Sequence, residues 1–74
     1  MGVHFIWLTK NKGITVEIIH GDLSLLLDSL TAAGIIMRKV NAVDEITAIL
    51  TIDRRFLRQL QLLCKRQNAQ LRII

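Results

Sequence analysis

Proline is absent from these 74 residues, cysteine occurs once, and Phe5, Trp7 and Phe56 are the only aromatic side chains. Each shortage removes a class of protein. A lone Cys64 has no partner within the chain, which excludes an internal disulfide framework and a cysteine-based zinc site and suits a reducing compartment. No proline, four glycines and 51% hydrophobic residues exclude a linker or a disordered tail. The shortage of aromatics leaves core formation to aliphatic side chains. The longest unbroken apolar run, Phe5 to Leu8, falls far short of the roughly eighteen residues a membrane-spanning helix needs. The start of the chain lacks the basic region and small-residue cleavage site of a secretory signal. Ile6 stands where a myristoylation signal needs Ser or Thr, so no export signal or lipid anchor is expected. The length allows one domain, and a chain of this size buries only about 60% of its unfolded surface.

Against these absences stands an excess of positive charge, +4 in net terms. Six of the ten basic residues lie beyond position 50: Arg54, Arg55, Arg58, Lys65, Arg66 and Arg72. A basic balance points towards anionic partners such as nucleic acid or a membrane surface.

From Gly13 onward the chain lays out one plan twice: a β-branched strand, an amphipathic helix opened by an aspartate, and a returning strand. Residues 14 to 19 alternate, with Ile14, Val16 and Ile18 on one face and Thr15 and Glu17 on the other, the period-two pattern of a half-buried strand. Asp22 then has the position and chemistry of a helix N-cap. Leu23, Leu26, Leu27 and Leu30 recur at helical spacing, and Gly34 supplies a left-handed stop. Residues 35 to 40 and 45 to 52 read as a strand pair joined by a turn around Asn41 to Asp44. Asp53 repeats the expected cap, and Phe56, Leu57, Leu60, Leu63 and Cys64 form the stripe of a second helix. Asn68 suits a left-handed end, and residues 69 to 74 return as a last strand.

That order, β-α-β-β-α-β, predicts an α+β fold, a ferredoxin-like two-layer sandwich over residues 13 to 74 with both helices on one side of a four-stranded antiparallel sheet. The uncovered face is then expected to carry Thr15, Glu17, Thr47, Ile49, Thr51, Gln70 and Arg72. Residues 1 to 12, with Val3, Phe5 and Trp7 alternating, are read as an N-terminal arm or an extra edge strand.

Catalytic chemistry finds little purchase here. Cys64 falls on the apolar stripe, where a thiol is buried and inert. His4 and His20 sit in no metal-ligand spacing, so no metal site is expected. Asp22 and Asp53 resemble a carboxylate pair, but capping accounts for both. The glycines form no phosphate-binding loop, so no cofactor is expected. Bases of RNA stack on aromatics of central strands, and these strands have none. Arg54, Arg55 and Arg58 leave nucleic-acid binding as a lesser alternative, recognisable by affinity that falls steeply with salt. Domains that sense amino acids share this strand order, although their glycine- and asparagine-rich ligand loop is reduced here to His20-Gly21-Asp22.

The stretch Lys12-Gly13-Ile14-Thr15-Val16-Glu17-Ile18, then His20-Gly21-Asp22-Leu23 and Leu26-Leu27, resembles the start of the YqfD-like stage IV sporulation protein family. The likeness continues through Ala33-Gly34-Ile35, the strand pair to Ile52, and Asp53-Arg54-Arg55-Phe56, so it spans nearly the whole chain. The resemblance implies an N-terminal soluble domain of a membrane protein from a spore-forming bacterium, anchored only by a segment this chain does not contain. It also implies kinship with the ring-building modules of other sporulation assemblies. It carries no catalytic residues across. Taken together, the expected function is a non-enzymatic interaction or assembly domain that self-associates or docks a protein partner. Its candidate contacts are Ile49 and Arg72 on the open sheet and Arg54, Arg55 and Arg58 on the basic second helix. The alternative expectation is a small-molecule-sensing regulatory domain.

Overall fold

The computed structural model describes residues 13 to 74. The expected N-terminal arm or edge strand over residues 1 to 12 lies outside the described residues. The elements run β1 (Gly13–Ile19), α1 (Leu23–Ala32), β2 (Met37–Ala42), β3 (Thr47–Asp53), a 3-10 turn (Arg54–Phe56), α2 (Leu57–Arg66) and β4 (Gln70–Ile73). The fold is α+β: the four strands form one antiparallel sheet in the order β2-β3-β1-β4.

The alternation of β-branched and polar residues in β1 and β3 sets the two faces. Val16 and Ile18 of β1 and Ala48, Leu50 and Ile52 of β3 are fully buried in one cluster with Leu23, Leu26 and Leu30 of α1 and Leu60 and Cys64 of α2. Both helices therefore cover the same side of the sheet, and among the described residues no helix lies on the opposite side. Among the described residues the buried core is aliphatic apart from the thiol. Phe56 only packs at its margin.

Both helices end in the same way. At the end of α1 the Ile35 amide donates to the Leu30 carbonyl at 3.0 Å and the Gly34 amide to Thr31 at 3.0 Å, with Gly34 at φ 85°. At the end of α2 the Ala69 amide donates to Cys64 at 2.8 Å and the Asn68 amide to Lys65 at 3.3 Å, with Asn68 at φ 59°. These paired bonds satisfy carbonyls that the helix leaves open, and they demand a left-handed residue after the cap, which glycine and asparagine adopt most readily.

The N-termini differ, and here an expectation fails. Asp22 caps α1, its carboxylate accepting from the Leu25 amide at 3.1 Å. Asp53 makes no side-chain cap bond. It closes β3, and its carboxylate is taken by Arg38, with Arg55 3.9 Å away. The cause is the bulge in β2 between Met37 and Lys39, which places Arg38 as an additional residue opposite the end of β3. Gly13 faces Asp53 across the ladder, and a Cβ there would stand 3.3 Å from the Arg38 guanidinium and 3.1 Å from the Thr51 methyl. Its missing side chain gives the arginine its passage.

The hairpin loop also moves. β2 continues through Ala42, so residues 43 to 46 make the connection in place of Asn41 to Asp44. The Asp44 carboxylate accepts from the Ile46 amide at 2.9 Å, a local side-chain-to-backbone bond that fixes the turn around the acid. That bond and the Thr47 hydroxyl hold the Asp44 carboxyl below its ordinary value.

Candidate interaction surface

The strand register converts the alternation of β1 and β3 into rows across the uncovered face. Glu17 stands opposite Ile49 on one side and Arg72 on the other, and Ile49 stands opposite Asn41. One row therefore reads Asn41, Ile49, Glu17, Arg72. A second reads Lys39, Thr51, Thr15, and a third Thr47, Ile19, Gln70. All seven residues expected on this face lie on it. Ile19, Lys39 and Asn41 join them; the sequence reading assigns Ile19 to neither face, although its parity with Thr15 and Glu17 is the signal that places it there.

Physical contacts hold the rows in place. Arg72 reaches the Glu17 carboxylate at 3.0 Å, an exposed cation on a carboxylate that is mostly covered. The Thr15 and Thr51 hydroxyls lie 3.5 Å apart. Beside them Glu17, Ile19, Gln70, Leu71 and Arg72 line an open groove of about 480 Å³ along the β4 edge. The face is thus mixed: half-buried isoleucines at the centre, hydroxyls around them and one ion pair towards the edge. A surface of that composition tolerates water yet loses little by being covered.

The five candidate contacts do not form one site. Ile49 and Arg72 share a row of the open sheet, two strands apart. Arg54 and Arg55 lie in the 3-10 turn, and Arg58 in the first turn of α2, on the helical side. Arg55 packs its guanidinium over the Phe56 ring, 4.9 Å from the centroid, while approaching Asp53. Arg54 and Arg58 are exposed and have no ion-pair partner among the described residues.

The residues that first suggest catalysis are occupied structurally. Cys64 is 1% exposed, and burial pushes its thiol pKa up, so the reactive thiolate is disfavoured. His20 does more than end a strand. Its Nδ1 accepts from the Asp22 amide at 3.0 Å and its Nε2 donates to the Gln67 carbonyl at 3.1 Å, tying the start of α1 to the end of α2. Among the described residues no group of three or more His, Cys, Asp or Glu side chains is placed to hold a metal ion. His4 lies outside the described residues. Among the described residues no helix is long and apolar enough to cross a membrane. Compared with known protein families, with curated proteins and with solved structures, the chain matches none.

Proposed function

We propose that this domain is a non-enzymatic protein-interaction and assembly module that presents the uncovered sheet face to a partner. The observation that carries the reading is the row Asn41, Ile49, Glu17, Arg72, which sets an isoleucine and an ion pair side by side on a rigid four-stranded scaffold. Covering such a row removes apolar area from water while the charges remain available to select the partner. We read the α+β sheet-and-helix layers as ferredoxin-like, and the strand order supports that reading. Read from the other edge the strands run β4-β1-β3-β2, so β3 lies between β1 and β2, the strands that α1 connects, and β1 lies between β3 and β4, the strands that α2 connects. The resemblance to YqfD-like sporulation proteins is the ground for proposing a membrane-anchored parent; an apolar stretch of about twenty residues encoded beyond Ile74 would support that context.

Light scattering after size exclusion tests the sheet face. The expected result is a concentration-dependent assembly that Ile49→Asp reduces while the far-ultraviolet circular dichroism stays native. Assembly indifferent to Ile49→Asp would remove the sheet face from the proposal. A second reading, a small-molecule sensor, draws on the groove at Glu17, Ile19, Gln70 and Arg72, where the guanidinium could meet a carboxylate. It requires thermal stabilisation by an amino acid or nucleotide, since a ligand bound only by the folded state raises its stability. A broad library without a shift rules it out.

A further inference from the structure

The helix layer carries a second surface, distinct from the open sheet, and the two helices differ on it in one respect. On α1, Leu25 is 54% exposed; Asp28 lies three residues after it in the helix, and the N-cap Asp22 three residues before it, its carboxylate accepting from the Leu25 amide. On α2, Leu62 is 60% exposed, and its neighbours are Arg58 four residues before it and Lys65 and Arg66 three and four after. Thus each helix shows water a leucine set among charges of a single sign, acidic on α1 and basic on α2. α2 contains no acidic residue, and none of Arg58, Lys65 and Arg66 has an ion-pair partner among the described residues. Asp28 is exposed and has none either.

Within one copy no ion pair links the two surfaces among the described residues. The helices lie side by side and antiparallel. Gln67 at the end of α2 donates to the Ser29 hydroxyl at 2.9 Å, and Gln59 near its start donates to the Ala33 carbonyl at 2.9 Å. These glutamines fix the layer and leave Leu25 and Leu62 outside it.

We propose that the outer faces of α1 and α2 are the two halves of a self-association contact, in which the acidic-flanked Leu25 of one copy packs against the basic-flanked Leu62 of another. The argument is charge complementarity between two surfaces of the same chain around paired apolar centres. Like charges oppose the alternatives, α1 on α1 and α2 on α2, so the pairing selects its own register. Each copy carries both halves, so association proceeds either twice over in a closed dimer or head to tail along a series. Ten-residue helices are about 15 Å long, so the contact is smaller than a standard stable interface. The association is accordingly weak, and it weakens with salt.

Sedimentation and light scattering of the chain over a concentration series at low and high salt test it. Leu62→Glu and Asp28→Lys each weaken association by about tenfold or more, the loss of a central contact. The double variant Lys65→Glu/Arg66→Glu does the same, while thermal melts confirm that each variant stays folded. If reversal at Lys65 and Arg66 unfolds the chain, Arg58→Glu takes its place. Mixing the Asp28→Lys chain with the chain reversed on α2 restores association, because the introduced lysine on α1 then meets an acidic α2. A native chain that stays monomeric at millimolar concentration overturns the proposal, as does a mixture that fails to recover. Association abolished by Ile49→Asp but untouched by Leu62→Glu also overturns it, and leaves the sheet-face reading standing.

Discussion

Leu60 and Leu62 stand two positions apart on α2, and the structure assigns them opposite fates: Leu60 is fully buried, Leu62 is 60% exposed. Leu60→Ala removes three carbons from a site sealed on every side, at about 0.8 kcal/mol each for transfer alone. The unfilled space adds to that, and Leu→Ala in sealed cores costs about 2–5 kcal/mol. α2 has one other fully covered side chain, Cys64, with Leu57 and Leu63 packed only partly against the core, so Leu60 is the largest buried side chain that docks the helix. A domain of this size has about 4–11 kcal/mol of total stability, so the variant loses a large fraction of it. Urea unfolding followed by circular dichroism, at low concentration to keep association out of the reading, measures the loss. With a slope of about 1 kcal/mol per molar for a small domain, the midpoint falls by about 2–5 M or the variant is unfolded at the outset. Leu62→Ala changes the stability by less than about 0.5 kcal/mol, as exposed substitutions do. A Leu60→Ala cost below about 1 kcal/mol, or equal costs at the two positions, would refute the docking of α2 described above.

Gly34→Ala forces a Cβ into the left-handed conformation that ends α1, and the expected cost is about 1 kcal/mol by chemical denaturation, whereas Asn68→Gly at the equivalent end of α2 is neutral or mildly stabilising. A Gly34→Ala chain as stable as the native one, or an Asn68→Gly chain destabilised by about 1 kcal/mol, would contradict the shared helix-end geometry. Asp44 makes the stability depend on pH. Its folded pKa lies below the ordinary 3.8, so its contribution is complete above that value and is lost as the pH falls through the folded pKa. The native chain should therefore exceed Asp44→Asn in stability at neutral pH by a margin that shrinks below about pH 4; a margin constant down to pH 2 would refute the carboxylate's role in the turn.

Much of the fold was legible in the chain because the signals were local. The alternation in β1 and β3, the leucine stripes of both helices, and Gly34 and Asn68 as left-handed ends each depend on a few neighbouring residues, and the structure has all of them where the pattern indicated. Asp53 was misread for the opposite reason. By sequence it matches Asp22, a carboxylate before a helix, but its fate depends on Arg38, fifteen residues earlier, brought to it by a bulge that no local pattern announces. His20 gave equally little warning, because its partner carbonyl lies 47 residues away at Gln67.

The candidate contacts divide along the same line. Periodicity alone placed Ile49 and Arg72 on the uncovered face, since strand parity is a property of one strand. Their arrangement in one row with Asn41 and Glu17 required the register of three strand pairs. Leu25 and Leu62 fell off the helical stripes and drew no attention in the sequence. Only the packed helices show both leucines turned to water, each among charges of one sign.

The amino-acid sequence by itself determined the order of elements, the aliphatic character of the core and the side of each strand that enters it. Hydrophobic periodicity acts over a few residues, and burial follows from it. Tertiary structure alone decided which charges are neutralised and which remain open: Asp53 is held by Arg38 and Glu17 by Arg72, while Arg58, Lys65, Arg66 and Asp28 have no ion-pair partner among the described residues. Ion pairing needs nitrogen and oxygen within about 4 Å, and in a folded chain that proximity is set by strand register and helix docking rather than by spacing along the sequence.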